Sequence, residues 1–354
     1  MRGTHVRLVA VLALLLAVAT RAQTPPHDLT SETLALLKEH LAFTDSNLSA
    51  LAHGQVVRKT LETHDAREVV AVGAVKVFVP RKFFIEQVRD IVAFKRSRYV
   101  LEIGTFGARP RIEDLADLTL SDDDVHAIRG CRLGDCDIKL TAAMLERLRT
   151  EVNWSKSDAR VQVATAFRRL LVERTAAYLS GGRSTLGTYV DRRTEASVDS
   201  ELVSLLDASP YLTQFAPELR KDLDGFPNAE LRNAESFFYW SKESFGVKPV
   251  INVTHVTIFA KTIDGTAMTF VVSQGVYTSH YFDGSLALTI APEARNGTEP
   301  AFYLLYVNRS RVDALKGVFS GLRRWIAVRR VRDGMDATLR GVKKRLEDGY
   351  RVAP

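Results

Sequence analysis

The chain has 354 residues, 46% of them hydrophobic, and carries 49 Lys and Arg against 42 Asp and Glu, a formal charge of +7. That composition is ordinary for a globular chain, and the length suits one large domain or two small ones. The charge falls to about +4 once the three arginines of a leader segment are discounted, too mild a bias for an obvious nucleic-acid binder.

Residues 1–23 read MRGTHVRLVAVLALLLAVATRAQ. Arg2 and Arg7 form a basic start, residues 8–19 are an unbroken apolar run, and Thr20-Arg21-Ala22 places small residues at a cleavage site. The segment predicts a secretory signal peptide over residues 1–22, too short and wrongly flanked for a membrane span. No cysteine follows the run, so no lipoprotein anchor is expected. No later stretch approaches ~18 uninterrupted apolar residues, so the mature chain is expected to be soluble and periplasmic or extracellular.

Thr30 or Ser31 caps a predicted helix with Leu34, Leu37, Leu41, Leu48 and Leu51 near one face, ended by Gly54. "QVVRKTLET" and "REVVAVGAVKVFV" read as two strands joined by "HDA". Pro80 stops the second strand and starts the helix "PRKFFIEQVRDIVAF"; "SRYVLEIGTFG" is a further strand. Ser121 and the three aspartates after it suit a helix N-terminus.

Cys131 and Cys136 are the only cysteines, in "GCRLGDC". In an exported chain they most simply form one disulfide. Bridging needs Cα atoms within ~7 Å, whereas five extended residues span ~16 Å, so the chain must turn between them. Gly130, Gly134 and Asp135 supply the turn chemistry.

From about residue 140 to 246 the pattern becomes helical, with a long amphipathic helix ended by Gly181-Gly182 and shorter pieces between Pro and Gly breaks. The last piece, "NAESFFYWSKESFG", is read as an aromatic helix. Strand patterns return in "PVINVTHVTIFAKT", in "TAMTFVVSQGVYTSHYFDGSLALTIAP" with a break near Asp283-Gly284, and in "PAFYLLYVNRSRV". A long helix over residues 318–346 closes the chain with an apolar stripe.

The stretches "REVVAVGAVKVFVPRKFFIEQVRDI" and "GVFSGLRRWIAVRRVRDGMDATLRGVKKRLE" resemble the strand, proline turn and short helix, and the closing helix, of the START-related helix-grip superfamily. The resemblance implies an α+β fold in which a curved antiparallel sheet grips a long C-terminal helix, and a hydrophobic tunnel between them for a lipid or other apolar molecule. Trp325, Ile326 and Met335 would line it. The helical insertion departs from the common pattern.

His255 and His280 lie in the late strands with Tyr281, Asp283, Asn308, Arg309 and Arg311, the densest polar cluster on strands. Alternation puts Val253, His255, Thr257 and Phe259 on one face. Two imidazoles and a carboxylate could serve acid–base chemistry or contact a ligand, but their spacing has no metal signature. Arg309 and Arg311 share a face, suited to a phosphate or carboxylate head group. Residues 309–345 hold twelve Lys or Arg against three Asp, a basic helix able to lean on an anionic membrane. No nucleotide, zinc-protease or serine-hydrolase motif occurs, and no cofactor is expected.

The sequence therefore predicts one exported helix-grip-like domain over residues 23–354, with a helical insertion over about 140–246. Its expected role is to bind an apolar or amphipathic small molecule, with His255, His280, Tyr281, Asn308, Arg309, Arg311, Trp325 and Met335 as candidate contacts. The alternatives are a cyclase- or hydrolase-like enzyme using His255, His280 and Asp283, and a cell-envelope interaction protein with a filled core.

Overall fold

The computed structural model describes residues 28–229, 231–244, 248–295, 299–313 and 320–352, with side chains of the last helix described from residue 334. Helix α1 (Ser31–Ala35) is capped by the Thr30 hydroxyl and runs into a π-helical turn. A Thr44 capping box then opens α2 (Asp45–Ala52). Strands β1 (Val57–Leu61) and β2 (Glu68–Val77) form a hairpin. Pro80 ends it, and α3 (Arg81–Arg89) and α4 (Ile91–Lys95) follow, the latter capped by Asp90. Strand β3 (Val100–Thr105) leads into the helical insertion.

The insertion comprises α5 (Asp122–Gly130), α6 (Ala142–Glu151), α7 (Ala159–Gly181), the short pair β4 (Thr188–Tyr189) and β5 (Ala196–Ser197), α8 (Val198–Asp207), α9 (Pro210–Phe215) and α10 (Pro217–Gly225). Strands β6 (Ala234–Glu243), β7 (Val250–Ile263), β8 (Thr266–Thr278), β9 (Phe282–Pro292) and β10 (Phe302–Val312) complete the sheet, and α11 (Ser320–Val352) ends the described chain.

All eight large strands join one antiparallel sheet in the order β1-β2-β10-β9-β8-β7-β6-β3. The architecture is α+β, an open sheet packed against a long C-terminal helix, as the sequence predicts. One face carries Val70, Val72, Phe270, Leu288 and Leu305 into a core with α1, α2 and α8–α10. The same face continues through Phe238, Trp240 and Val253 into a core with α5–α7. The opposite face sends Ala71, Val75, Ile258 and Leu304 toward α3, α4 and α11. Gly73 lets α11 come close: a Cβ there would lie 2.4 Å from Leu339 Cδ1 and 2.7 Å from Met335 Sδ.

Several boundaries differ from the sequence reading: the insertion begins at α5, ahead of residue 140, and the first predicted helix is split into α1, a π-helical turn and α2. Residues 234–243 form a strand, not a helix, so the helical insertion ends at Gly225. Four consecutive aromatics explain this: a strand sends Phe238 and Trp240 to one core and Phe237 and Tyr239 to the other, whereas a helix would spread them around its circumference. The β8–β9 break falls at residues 279–281, ahead of Asp283-Gly284. Finally, α11 continues past Leu346 to Val352.

Candidate functional site

The two histidines singled out from sequence share no contact. His255 is buried on β7, where its ring stacks on Phe238 at 4.5 Å with the planes 5° apart. Phe226 covers it at 4.6 Å, and the Tyr178 hydroxyl lies 3.3 Å from Nδ1. Burial among rings pushes its pKa down to about 3, so the imidazole is neutral. His280 sits instead in the β8–β9 turn, with Nδ1–H donating to the Asp137 carbonyl at 2.8 Å and Nε2 3.0 Å from Asp124 Oδ1. Burial raises the Asp124 carboxyl, but hydrogen bonds from His280 and Ser121 outweigh it and leave it below the usual range.

Asp283 belongs to a third group, centred on a residue the sequence reading did not select. The Cys131–Cys136 disulfide closes the turn as expected, with Gly134 at φ +78°. Its backbone is held by residues 190–192: Gly134 N–H donates to Val190 O and Cys136 N–H to Asp191 O. The chain leaving the turn then inserts Lys139 into the protein. Its ammonium lies 2.8 Å from Asp283, 3.1 Å from Asp313 and 3.3 Å from Asp191. Burial disfavours this cation, but the three carboxylates more than compensate and keep it charged. Burial raises the Asp191 carboxyl, and Lys139 offsets that only in part.

Beside this cluster opens a cavity of about 150 Å³ lined by Asp137, Lys139, Asp191, His280, Tyr281 and Asp313, among others. Tyr281, at its edge, has φ +65°, a conformation bulky side chains rarely adopt. Lys139 left no local signal: a lysine two residues beyond Asp137 in a disulfide-pinned segment reads as surface until its distant partners are known.

Arg309 and Arg311 share a face of β10, as alternation predicts, and both are engaged by acids. Arg309 Nη1 lies 2.6 Å from Glu68 and its Nε donates to Tyr211 OH at 3.3 Å. Arg311 meets Asp65 at 2.7 Å, Glu201 at 3.2 Å and Glu68 at 3.3 Å. Arg67 extends the network, 2.6 Å from Glu201 and 3.5 Å from Asp283. These side chains tie β2 and β10 to α8.

Asn308 points the other way, to the sheet face shared with α11. There Ser273, Gly275, Ser285, Ala287, Thr289, Tyr306 and Asn308 form a half-buried floor of mostly small residues, while their alternates Val272, Gln274, Leu286 and Leu288 are fully buried on the opposite face. Ala287 is paired with Ser273 on one side and Asn308 on the other. A polar group borders the floor: Lys95 Nζ lies 2.8 Å from Glu243 and donates to Tyr239 OH at 3.1 Å. Burial opposes both charges of the pair, yet each holds the other ionised. The apolar end is Met335 with Leu339, Ala71 and Val75. Trp325 and Ile326 lie outside the residues whose side chains are described.

In the described half of α11, Arg340, Lys343 and Lys344 each pair with an acid four residues away. Among the described residues no helix is long and apolar enough to cross a membrane, and no three His, Cys, Asp or Glu are placed to hold a metal ion. No family model, curated protein or solved structure matches the chain.

Proposed function

We propose that this chain is an exported binding protein that holds an amphipathic small molecule on the sheet face beside α11. The observation that carries the reading is the floor of small, half-buried residues in the middle strands. Interior strands ordinarily present large side chains to a packed helix, as these same strands do on their other face. Ser273, Gly275, Ser285 and Ala287 are instead small, on the face that carries the apolar side chains of Met335 and Leu339 and the polar group of Lys95, Glu243, Tyr239 and Asn308. An apolar body with one polar end complements that gradient. No covalent chemistry is invoked, because His255, His280 and Asp283 each serve a separate set of partners.

A fluorescence titration with 1-anilinonaphthalene-8-sulfonate, an amphipathic probe, tests the reading on the full chain. Ala287→Phe and Ser273→Phe fill the floor and are expected to weaken probe binding about tenfold or more, equivalent to about 1.4 kcal/mol. Val161→Ser, at an exposed position on α7, serves as control. Unchanged affinity in both floor variants, with their folding intact by circular dichroism, would rule the site out.

A further inference from the structure

Beneath α7, on the sheet face away from that floor, buried side chains from three elements leave polar atoms without protein partners. Arg174 is 9% exposed, and His255 and Gln274 are 1% exposed. Among the described residues, Arg174 Nη2, His255 Nε2 and both amide atoms of Gln274 have no hydrogen-bond partner. Their positions adjoin one another. Arg174 and Tyr178 stand one turn apart on the buried side of α7. Tyr178 reaches His255, while Arg174 Nε donates to Val276 O at 2.9 Å. His255 faces Gln274 across the β7–β8 pair, and Gln274 precedes Val276 by two residues. Val253 and Thr254 pair with Tyr277 and Gly275, which leaves Val276 as a bulge outside the ladder. The bulge frees the carbonyl that Arg174 uses.

Charge decides the occupant. The guanidinium of Arg174 meets that carbonyl and the faces of Tyr189 at 5.5 Å and Tyr277 at 5.7 Å. None of these brings a formal negative charge, and a buried cation without one is strongly unfavourable. His255 is neutral, and its Nδ1 lies 3.3 Å from the Tyr178 hydroxyl; the tautomer in which that hydroxyl donates puts the ring proton on Nε2. In that tautomer three unused donors, on Arg174, His255 and Gln274, occupy neighbouring positions against one unused acceptor, Gln274 Oε1. Water would satisfy the hydrogen bonds but leave the charge unbalanced.

We infer that this buried polar cluster binds a small monovalent anion, a halide or the carboxylate of a formate-sized molecule, through Arg174, His255 and Gln274. Phe226, half-buried and stacked on Tyr178 at 5.1 Å, is the ring that must move for entry.

The test is a bromide soak of crystals of the full chain, read by anomalous diffraction, with thermal unfolding in bromide, formate and sulfate at matched ionic strength. The expected result is an anomalous peak within about 3.5 Å of Arg174 Nη2 and Gln274 Nε2, near hydrogen-bond reach. Stabilisation should rise with bromide or formate concentration and not with sulfate. Gln274→Leu and Arg174→Met should each weaken the anion about tenfold or more. Formate acting without bromide would identify a carboxylate site; both acting would identify a general monoanion site. Phe226→Ala should accelerate exchange of the bound anion. Density that refines as water in every salt, with no anomalous signal and unfolding indifferent to the anion, would overturn the inference. If Arg174→Met fails to fold, Gln274→Leu and the anomalous map still decide.

Discussion

At the scale of single residues, His255 and Lys139 make opposite demands on the interior, and each yields a prediction. His255 is neutral in the fold, with a pKa near 3 against 6.5 when exposed, so the unfolded chain binds the extra proton first. Its contribution to stability is complete above pH 6.5 and is lost as pH falls from 6.5 toward 3. Between pH 7 and pH 5 the loss should be about 2 kcal/mol, measured by urea unfolding, and His255→Gln should flatten that segment of the profile. Lys139 is the reverse, a cation required by its neighbours. Lys139→Met leaves Asp191 and Asp313 buried without their ammonium and Asp283 with only the Arg67 guanidinium 3.5 Å away, and should cost about 3–5 kcal/mol at pH 7. Asp191, whose carboxyl burial already raises, takes up a proton more readily folded than unfolded, so the variant should regain stability as pH falls toward the ordinary carboxylate range. A variant as stable as the parent at pH 7 would show that the cluster contributes little. The disulfide turn was legible because its two cysteines and glycines are adjacent in sequence. The ion cluster behind it was not, because Asp191, Asp283 and Asp313 come from three distant segments and nothing local distinguishes Lys139 from a surface lysine.

At the scale of elements, the clearest sequence signals were period and punctuation. Valine alternation and Pro80 gave β2 and the start of α3, and the long apolar stripe gave α11. The failure at β6 has a physical cause: "SFFYW" has no polar alternation because both faces of that strand are covered, and a doubly buried strand cannot be separated from a buried helix by periodicity. Gly73 is the position where two elements are set against each other. A side chain on β2 at this point collides with Leu339 and Met335, so Gly73→Val should destabilise the protein by about 1–3 kcal/mol. Because the clash lies under α11, hydrogen exchange in residues 335–346 should accelerate more than exchange in α7. Equal acceleration in both helices would show that α11 does not open as a separate unit.

At the scale of the whole molecule, the sequence carried the class and the closing helix but not what lies between sheet and helix. Strand order and the two-sided burial of the sheet follow from pairings across the whole chain, and the insertion placed α5–α10 over one face only. The candidate contacts were scattered by the same geometry: Asn308 and Met335 belong to the face beside α11, Arg309 and Arg311 to the acid network at α8, His280 and Tyr281 to the cavity behind the disulfide. Nothing in a linear pattern states that Ser, Gly and Ala of separate strands form one half-buried floor on the face that carries α11. That floor is the physical basis of the binding proposal, and it is best tested by asking what the protein carries. Native mass spectrometry of the full chain, purified without denaturant from its source cells and followed by solvent extraction, should show one bound amphipathic molecule per chain, lost in Ala287→Phe. An unliganded mass that stays unchanged after incubation with envelope lipids would contradict the account.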